Sequence, residues 1–123
     1  MKYIRTKEGI YERMFPDEEH LISFDHKTIE LAYYTTKNEW VAKKDIIKQA
    51  DTIEDLCDKF VIFYNKSHHK VSVLKSIATA RLYCKRDKRY SDNYVDKVYG
   101  AIWTDKGLIY VAKTNEKGEL ELL

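Results

Sequence analysis

A chain of 123 residues with 44% apolar residues lies in the size range of a single globular domain that buries its own core without disulfides or metal. This composition argues against an intrinsically disordered protein, and a formal net charge of +2 gives the whole molecule little attraction for nucleic acid. The chain has no apolar run of about 18 residues, as a membrane span needs, and its N-terminus lacks the apolar core of a signal peptide. We therefore expect one domain, residues 1–123, in the cytoplasm.

The N-terminal third predicts two β-hairpins. Residues 2–5 and 10–14 favour strands, and Gly9 between them suits a turn position with a positive φ angle. Residues 20–24 and 28–35 are also β-prone and are separated by a short polar turn.

The middle of the chain predicts an amphipathic helix. Residues 43–50 suit either a helical turn or a connecting loop. After them, apolar residues recur at helical spacing from Ile53 to Phe60, and Asp51 or Thr52 can cap the start. We expect a short helix from about Thr52 to Phe60, packed on a sheet.

The C-terminal half predicts more strands. Residues 61–64 have strand character, whereas residues 71–89 fit a helix and a strand equally. Residues 98–103, 108–113 and 119–123 are separated by glycine-containing turns and predict a three-stranded antiparallel meander. The fold class expected is α+β: an antiparallel sheet built from N-terminal hairpins and a C-terminal meander, with one or two short helices packed on it.

The sequence contains no recognisable catalytic motif. A phosphate-binding glycine loop, a GxSxG elbow, an HExxH pair and a CxxC pair are all absent from it. The scattered carboxylates of a chain that is 34% charged are best read as solvated surface. We predict that the protein is not an enzyme.

The cysteines and histidines allow a metal site without requiring one. Cys57 lies on the apolar side of the expected helix and is predicted to be a core thiol. Cys84 lies among cations that favour its thiolate, although a structural or simply exposed thiol is the favoured interpretation. Convergence of His68, His69 and Cys84 would make a zinc site, and exposed histidines are the competing interpretation. No cofactor is expected to be required.

One segment carries a marked positive charge. Residues 67–90 hold seven lysines and arginines against the single acid Asp87, with tyrosines among them. Surfaces that bind phosphate backbones or stack bases have this basic and aromatic character. The candidate partner-binding residues are Arg81, Tyr83, Lys85, Arg86, Lys88, Arg89 and Tyr90. An ordinary solvated face, balanced by acids such as Glu54, Asp55 and Asp58, explains the pattern equally well.

Three stretches of the chain resemble a known group of proteins. Residues 2–12, 45–58 and 99–113 are similar to small uncharacterised proteins of phages and integrated elements in Firmicutes, particularly streptococci, and cover about a third of the chain. The resemblance transfers no catalytic or binding residue. It suggests that the shared parts build the scaffold, while residues 15–44 and 65–94 carry the function.

The resemblance implies a function in the phage setting. A small non-enzymatic phage protein is similar in kind to anti-CRISPR proteins that act on the type II CRISPR effector nuclease in the host cytoplasm. Because the chain is not acidic overall, docking on a protein lobe and blocking target-DNA loading is favoured over mimicry of DNA. The alternative is a phage accessory protein that binds DNA or RNA directly through residues 81–89. No membrane partner is expected.

Overall fold

The structure is a computed structural model that describes residues 1–63, 71–82 and 97–123. It divides into two compact units, Met1–Leu56 and Cys57–Leu123, and each is described by itself. The expectation of one domain stays a prediction. The described strands are β1 (Tyr3–Arg5), β2 (Ile10–Glu12), β3 (His20–Ile22), β4 (Glu30–Tyr34), β5 (Trp40–Ala42), β6 (Lys48–Ala50), β7 (Lys59–Phe63), β8 (Val71–Leu74), β9 (Tyr99–Thr104), β10 (Gly107–Thr114) and β11 (Leu120–Leu122).

The first unit contains two three-stranded antiparallel sheets, ordered β2-β1-β6 and β3-β4-β5. Both hairpins predicted from the N-terminal third are confirmed, since β1 pairs with β2 and β3 pairs with β4. A single bridge between Arg13 and Thr35 and a hydrogen bond from Met14 N to Tyr34 O (2.9 Å) link the two sheets. Residues 43–50, for which the sequence allowed a helical turn or a connecting loop, contain a 3₁₀ turn at Lys43–Asp45. Strand β6 follows this turn.

The core of the first unit lies where β1 meets the second sheet. Ile4, Tyr33 and Val41 are buried together, and Tyr11 and Ile46 pack against them. In β4 and β5, Tyr33 pairs directly with Val41, so both side chains project from the same face of their sheet. Burial of these apolar groups is the main stabilising contribution to this unit.

The amphipathic helix predicted from Thr52 to Phe60 is wrong. Only Glu54–Leu56 is helical, as a 3₁₀ turn closed by Leu56 N and Ile53 O at 3.0 Å, and β7 begins at Lys59. The backbone N–H of Asp58 donates to Ala101 O at 2.9 Å, so this donor belongs to the sheet and not to a helix. Ile53, Leu56 and Phe60 are all buried, as the helical spacing required. A tight turn followed by a strand meets the same spacing.

The second unit is a five-stranded antiparallel sheet, ordered β11-β10-β9-β7-β8, with helix α1 (residues 77–82) against one face. The C-terminal meander is confirmed, with Gly107 at φ +105° in the first turn and Gly118 at φ +80° in the second. The sequence left residues 71–89 undecided between helix and strand. The structure has both there, strand β8 followed by helix α1, and residues 83–89 lie outside the described parts. Ser76 caps α1, because its Oγ accepts from Thr79 N at 3.1 Å.

The core of the second unit lies between the sheet and α1. Phe60 and Ile62 from β7 are buried with Ile77 and Ala80 from α1 and with Val98. We call this side of the sheet the helix-covered face. The predicted α+β class is confirmed, since antiparallel sheets dominate the described residues and the helical part is small.

One turn differs from expectation in its backbone. Gly9 does not have the positive φ angle predicted for it, unlike Gly107 and Gly118. The turn closes instead through Thr6 N and Gly9 O at 2.9 Å, while Thr6 Oγ1 accepts from Glu8 N at 3.1 Å. The threonine side chain therefore supplies part of the turn chemistry that the sequence pattern assigns to glycine.

Candidate binding surface

The five-stranded sheet presents a second face, opposite α1, that is rich in aromatic residues. Strand register places cross-strand partners on one side, so Val61 lies beside Tyr99, Tyr110 beside Ala101, and Leu108 beside Trp103. We call this the outer sheet face; its members on β7, β9 and β10 are Lys59, Val61, Tyr99, Ala101, Trp103, Leu108, Tyr110 and Lys113.

The base of this face is closely packed, while Trp103 and Tyr110 on it are exposed to solvent. Val61 and Ala101 are buried, and Tyr99 and Leu108 pack against them. Trp103 is 55% exposed and Tyr110 is 43% exposed. The rings of Tyr99 and Tyr110 lie 5.5 Å apart between centroids at an interplanar angle of 52°. Such tilted aromatic pairs are favourable, so the two rings form a preorganised platform.

Asp58 holds the strand that carries Trp103. One carboxylate oxygen of Asp58 accepts from Trp103 N at 2.8 Å, while the backbone N–H of Asp58 donates to Ala101 O at 2.9 Å. At the turn of the same hairpin, directly after Trp103, Thr104 Oγ1 donates to Gly107 O at 2.9 Å. The Trp103 backbone is thus fixed on both sides although its side chain projects into solvent. An exposed indole on a rigid backbone can bind a partner with little loss of backbone entropy.

Charged groups flank the aromatic platform. Lys59 and Lys113 lie on the outer sheet face, and Glu121 is the cross-strand partner of Lys113. A face with this mixture can pack against apolar or planar groups, and its tyrosine hydroxyls can hydrogen-bond at the rim.

The first unit carries an aromatic cluster of its own, formed by Phe15, His20, Tyr34 and Trp40. The ring centroid of Trp40 lies 4.9 Å from that of Tyr34 and 5.4 Å from that of His20, and Phe15 lies 6.2 Å from His20. Glu18 Oε2 lies 3.5 Å from His20 Nε2. Phe15 is 43% exposed and Trp40 is 37% exposed. The rings therefore support one another while remaining accessible.

The sequence-predicted partner-binding residues fall mostly outside the described ranges. Arg81 is exposed, and its Nη2 donates to Gly118 O at 2.7 Å, which ties α1 to the turn before β11. This contact gives Arg81 a structural role in addition to any binding role. The remaining candidates, namely Tyr83, Lys85, Arg86, Lys88, Arg89 and Tyr90, lie outside the described residues. The basic segment therefore stays a prediction.

The predicted zinc ligands His68, His69 and Cys84 also lie outside the described residues. Within residues 1–63, 71–82 and 97–123, no three His, Cys, Asp or Glu side chains are grouped so that they could hold a metal ion. Cys57 packs against the apolar cluster of the helix-covered face, as a core thiol should.

Sequence reasoning missed the outer sheet face. The signal was available in principle, because Tyr99, Ala101 and Trp103 alternate with Gly100 and Ile102 in one predicted strand. What the sequence lacked was the information that α1 packs on the side of Gly100 and Ile102, which leaves the aromatic side open.

Comparisons with known proteins add no relative: the chain matches no family model, no curated protein and no solved structure. In the parts of the chain that the structure describes, no helix has the length and apolar character needed to cross a membrane.

Proposed function

We propose that this protein is a non-enzymatic binding protein that docks on a host protein through its outer sheet face. Most of this face lies in the stretch 99–113, so the proposal departs from the expectation that residues 15–44 and 65–94 carry the function. The observation that carries the proposal is the exposure of Trp103 beside Tyr110, both on a backbone fixed by sheet hydrogen bonds. Tryptophan and tyrosine are the residues most enriched at the energetic centres of protein interfaces. A large apolar side chain that stays 55% exposed in a folded unit is a candidate anchor for a partner.

The partner we propose is the type II CRISPR effector nuclease, on the basis of the resemblance to small phage proteins of Firmicutes. An inhibitor of this effector needs a binding surface and no chemistry, because DNA loading depends on an open channel and on movement of protein lobes. The formal charge of +2 supports docking on protein and gives no support to imitation of DNA. The protein would therefore act by preventing target DNA from loading.

An order-of-addition assay tests this function. Target-DNA cleavage by a type II effector is measured with the protein added either before or after the target. We expect inhibition only when the protein is added first, and loss of that inhibition in the Trp103→Ala/Tyr110→Ala variant. Substitution of an interface anchor costs about 2 kcal/mol or more in binding, which is roughly a thirtyfold loss in affinity.

Leu21→Ala provides the matched control, since Leu21 is 66% exposed and lies in the other unit. It should inhibit as well as the wild type does. Equal loss of inhibition in both variants would mean that the outer sheet face is not the docking surface. Absence of inhibition by the wild-type protein would remove the effector as the partner.

Direct binding of DNA or RNA is the second candidate function. It is favoured by Lys59 and Lys113 on either side of the aromatic platform, because single-stranded nucleic acid binds to surfaces that combine stacking rings with cations. This alternative predicts affinity for bare single-stranded DNA that falls steeply as salt is raised. Binding without such a salt dependence would argue against it.

A further inference from the structure

An open cleft of about 700 Å³ lies entirely within the first unit. Tyr11, Phe24 and Trp40 are its aromatic lining, and aliphatic side chains of β5 and of the segment that follows β5 complete the apolar part. Trp40 also belongs to the aromatic cluster, where Tyr34 and His20 support its ring. Tyr11, Phe24 and Trp40 form the aromatic wall of the cleft, in which Trp40 is held by its neighbours before any ligand arrives.

Carboxylates dominate the charged lining of this cleft. The lining contains four acids and two lysines, namely Glu8, Glu30, Glu39, Asp45, Lys7 and Lys44. One of the lysines is already engaged, because Lys44 Nζ lies 3.5 Å from Glu30 Oε2. The other oxygen, Glu30 Oε1, is buried, and no donor within the described residues reaches it. With four carboxylates against two ammonium groups, the charged lining of the cleft is net negative and therefore favours a cationic ligand.

Two of these acids approach the aromatic wall from separate parts of the chain. Glu8 belongs to the turn before β2, and Glu39 immediately precedes β5. The phenol of Tyr11 reports their charges. Burial raises the pKa of Tyr11, a hydrogen bond with the Thr6 side chain lowers it, and the negative charges of Glu39 and Glu8 raise it further. The negative potential of both carboxylates thus reaches the Tyr11 ring.

We infer that this cleft binds a lysine or arginine side chain presented by a partner protein. A cation over an aromatic face gains about 0.5 to 2 kcal/mol, and carboxylates at the rim complement its charge. Electrostatic complementarity of this kind sets specificity and the rate of encounter. The inference rests on the proposed docking function in so far as the partner protein that presents the basic side chain is the effector.

The test uses the full chain with Trp103→Phe, so that Trp40 is its only tryptophan. Trp40 fluorescence is followed while the peptide acetyl-Gly-Arg-Gly-Arg-Gly-amide is added, and matched peptides carry Gln or Glu in place of Arg. We expect a saturable change with the Arg peptide and binding about tenfold weaker with the Gln peptide. An equal response to the Gln or Glu peptide would overturn the inference.

Variants then locate the site. Glu8→Gln/Glu39→Gln should weaken binding of the Arg peptide by about fivefold or more. Glu54→Gln/Glu116→Gln changes the net charge by the same amount at exposed positions outside the cleft lining, and its affinity should match that of the parent protein. Equal weakening in both variants would show that net charge alone attracts the peptide, and would overturn the assignment of the cleft.

Failure of this inference can be told apart from failure of the proposed function. If the peptide does not bind but the wild-type protein still inhibits DNA loading, the cleft assignment is wrong and the docking function stands. If the peptide binds as expected but the effector is not inhibited, the cleft assignment stands and the effector is not the partner.

Discussion

The guanidinium carbon of Arg13 lies 3.9 Å from the centroid of the Tyr33 ring, and both side chains are buried. The same guanidinium donates to three backbone carbonyls, those of Met1 (3.3 Å), Phe15 (3.4 Å) and Glu18 (2.7 Å). Tyr33 in turn donates through its hydroxyl to Glu19 Oε1 at 3.1 Å. One cation therefore joins the sheet, the start of the chain and the segment that follows β2.

Arg13→Ala is expected to lower the free energy of unfolding by about 3 kcal/mol, because it removes charge-assisted hydrogen bonds to partly buried carbonyl groups and the stacking contact with Tyr33. Arg13→Lys should fall between this variant and the wild type, since an ammonium keeps the charge but lacks the forked donors. Urea unfolding followed by circular dichroism measures both.

Lys43→Ala is the control for this series, because Lys43 is an exposed cation of the same unit. Its stability should stay within about 0.5 kcal/mol of the wild type. Equal losses at positions 13 and 43 would show that the buried network contributes nothing specific.

Gly100 is required because of its close approach to Cys57. A Cβ atom built on Gly100 would lie 2.7 Å from Cys57 Sγ, which is shorter than van der Waals contact allows, whereas Ala112 Cβ would be at an ordinary 3.5 Å. We expect Gly100→Ala to cost about 1 to 3 kcal/mol of stability by overpacking the helix-covered face.

The double variant Cys57→Ala/Gly100→Ala should recover much of that loss, because it removes the sulfur that clashes. A double-mutant cycle by thermal or urea unfolding measures the coupling. Additive losses would place the cost of Gly100→Ala in the backbone and not in the contact with Cys57.

The sequence predicted which neighbouring strands pair in hairpins much better than it predicted which distant residues contact one another. Hairpins such as β1–β2 and β9–β10 were identifiable because their turns and their alternation are local signals. The segment 52–60 was misassigned for a physical reason: burial of Ile53, Leu56 and Phe60 is the same constraint in a helix and in a turn followed by a strand. The deciding interaction is Asp58 N with Ala101 O, and it joins residues far apart in the chain.

The candidate surfaces depend on tertiary information in the same way. Nothing local to Arg13 indicates that its guanidinium stacks on an aromatic ring, since Tyr33 lies twenty residues further along the chain and belongs to the other sheet of the unit. The cleft likewise brings Glu8 to Glu39 across about thirty residues of sequence. The basic segment, residues 67–90, could be identified from composition alone, but it lies largely outside the described residues.

The glycines in the turns divide into required and replaceable positions. Gly107 has φ +105°, which other residues adopt only with strain, whereas Gly9 has no positive φ, and a Cβ there would meet Tyr11 Oη at an ordinary 3.4 Å. Gly107→Ala should cost about 1 to 2 kcal/mol, and Gly9→Ala should lie within about 0.5 kcal/mol of the wild type. Melting temperatures of the two variants compare them directly. A larger loss for Gly9→Ala would contradict the assigned turn geometry.

Asp25 closes the loop between β3 and β4 through its carboxylate. Oδ1 accepts from Lys27 N at 2.8 Å and from Thr28 N at 2.9 Å, and Oδ2 lies 3.1 Å from Thr28 Oγ1. The backbone hydrogen bonds from Thr28 and Lys27 lower the pKa of Asp25 from 3.8 to about 2. His26 lies inside this loop at φ 63°, a conformation that the hydrogen-bonded turn stabilises.

The stability that Asp25 contributes should therefore depend on pH in a defined window. A group whose pKa is lowered in the folded state stabilises it fully above the unfolded pKa, here 3.8, and loses that contribution as pH falls toward about 2. The difference in unfolding free energy between the wild type and Asp25→Asn should be constant at neutral pH and shrink between these two values. NMR titration of the Asp25 carboxyl carbon should give a midpoint below 3.8, and Thr28→Ala, which keeps both backbone donors, should raise it only slightly. A midpoint at the ordinary value, or a stability difference that does not change with pH, would show that the carboxylate does not hold this turn.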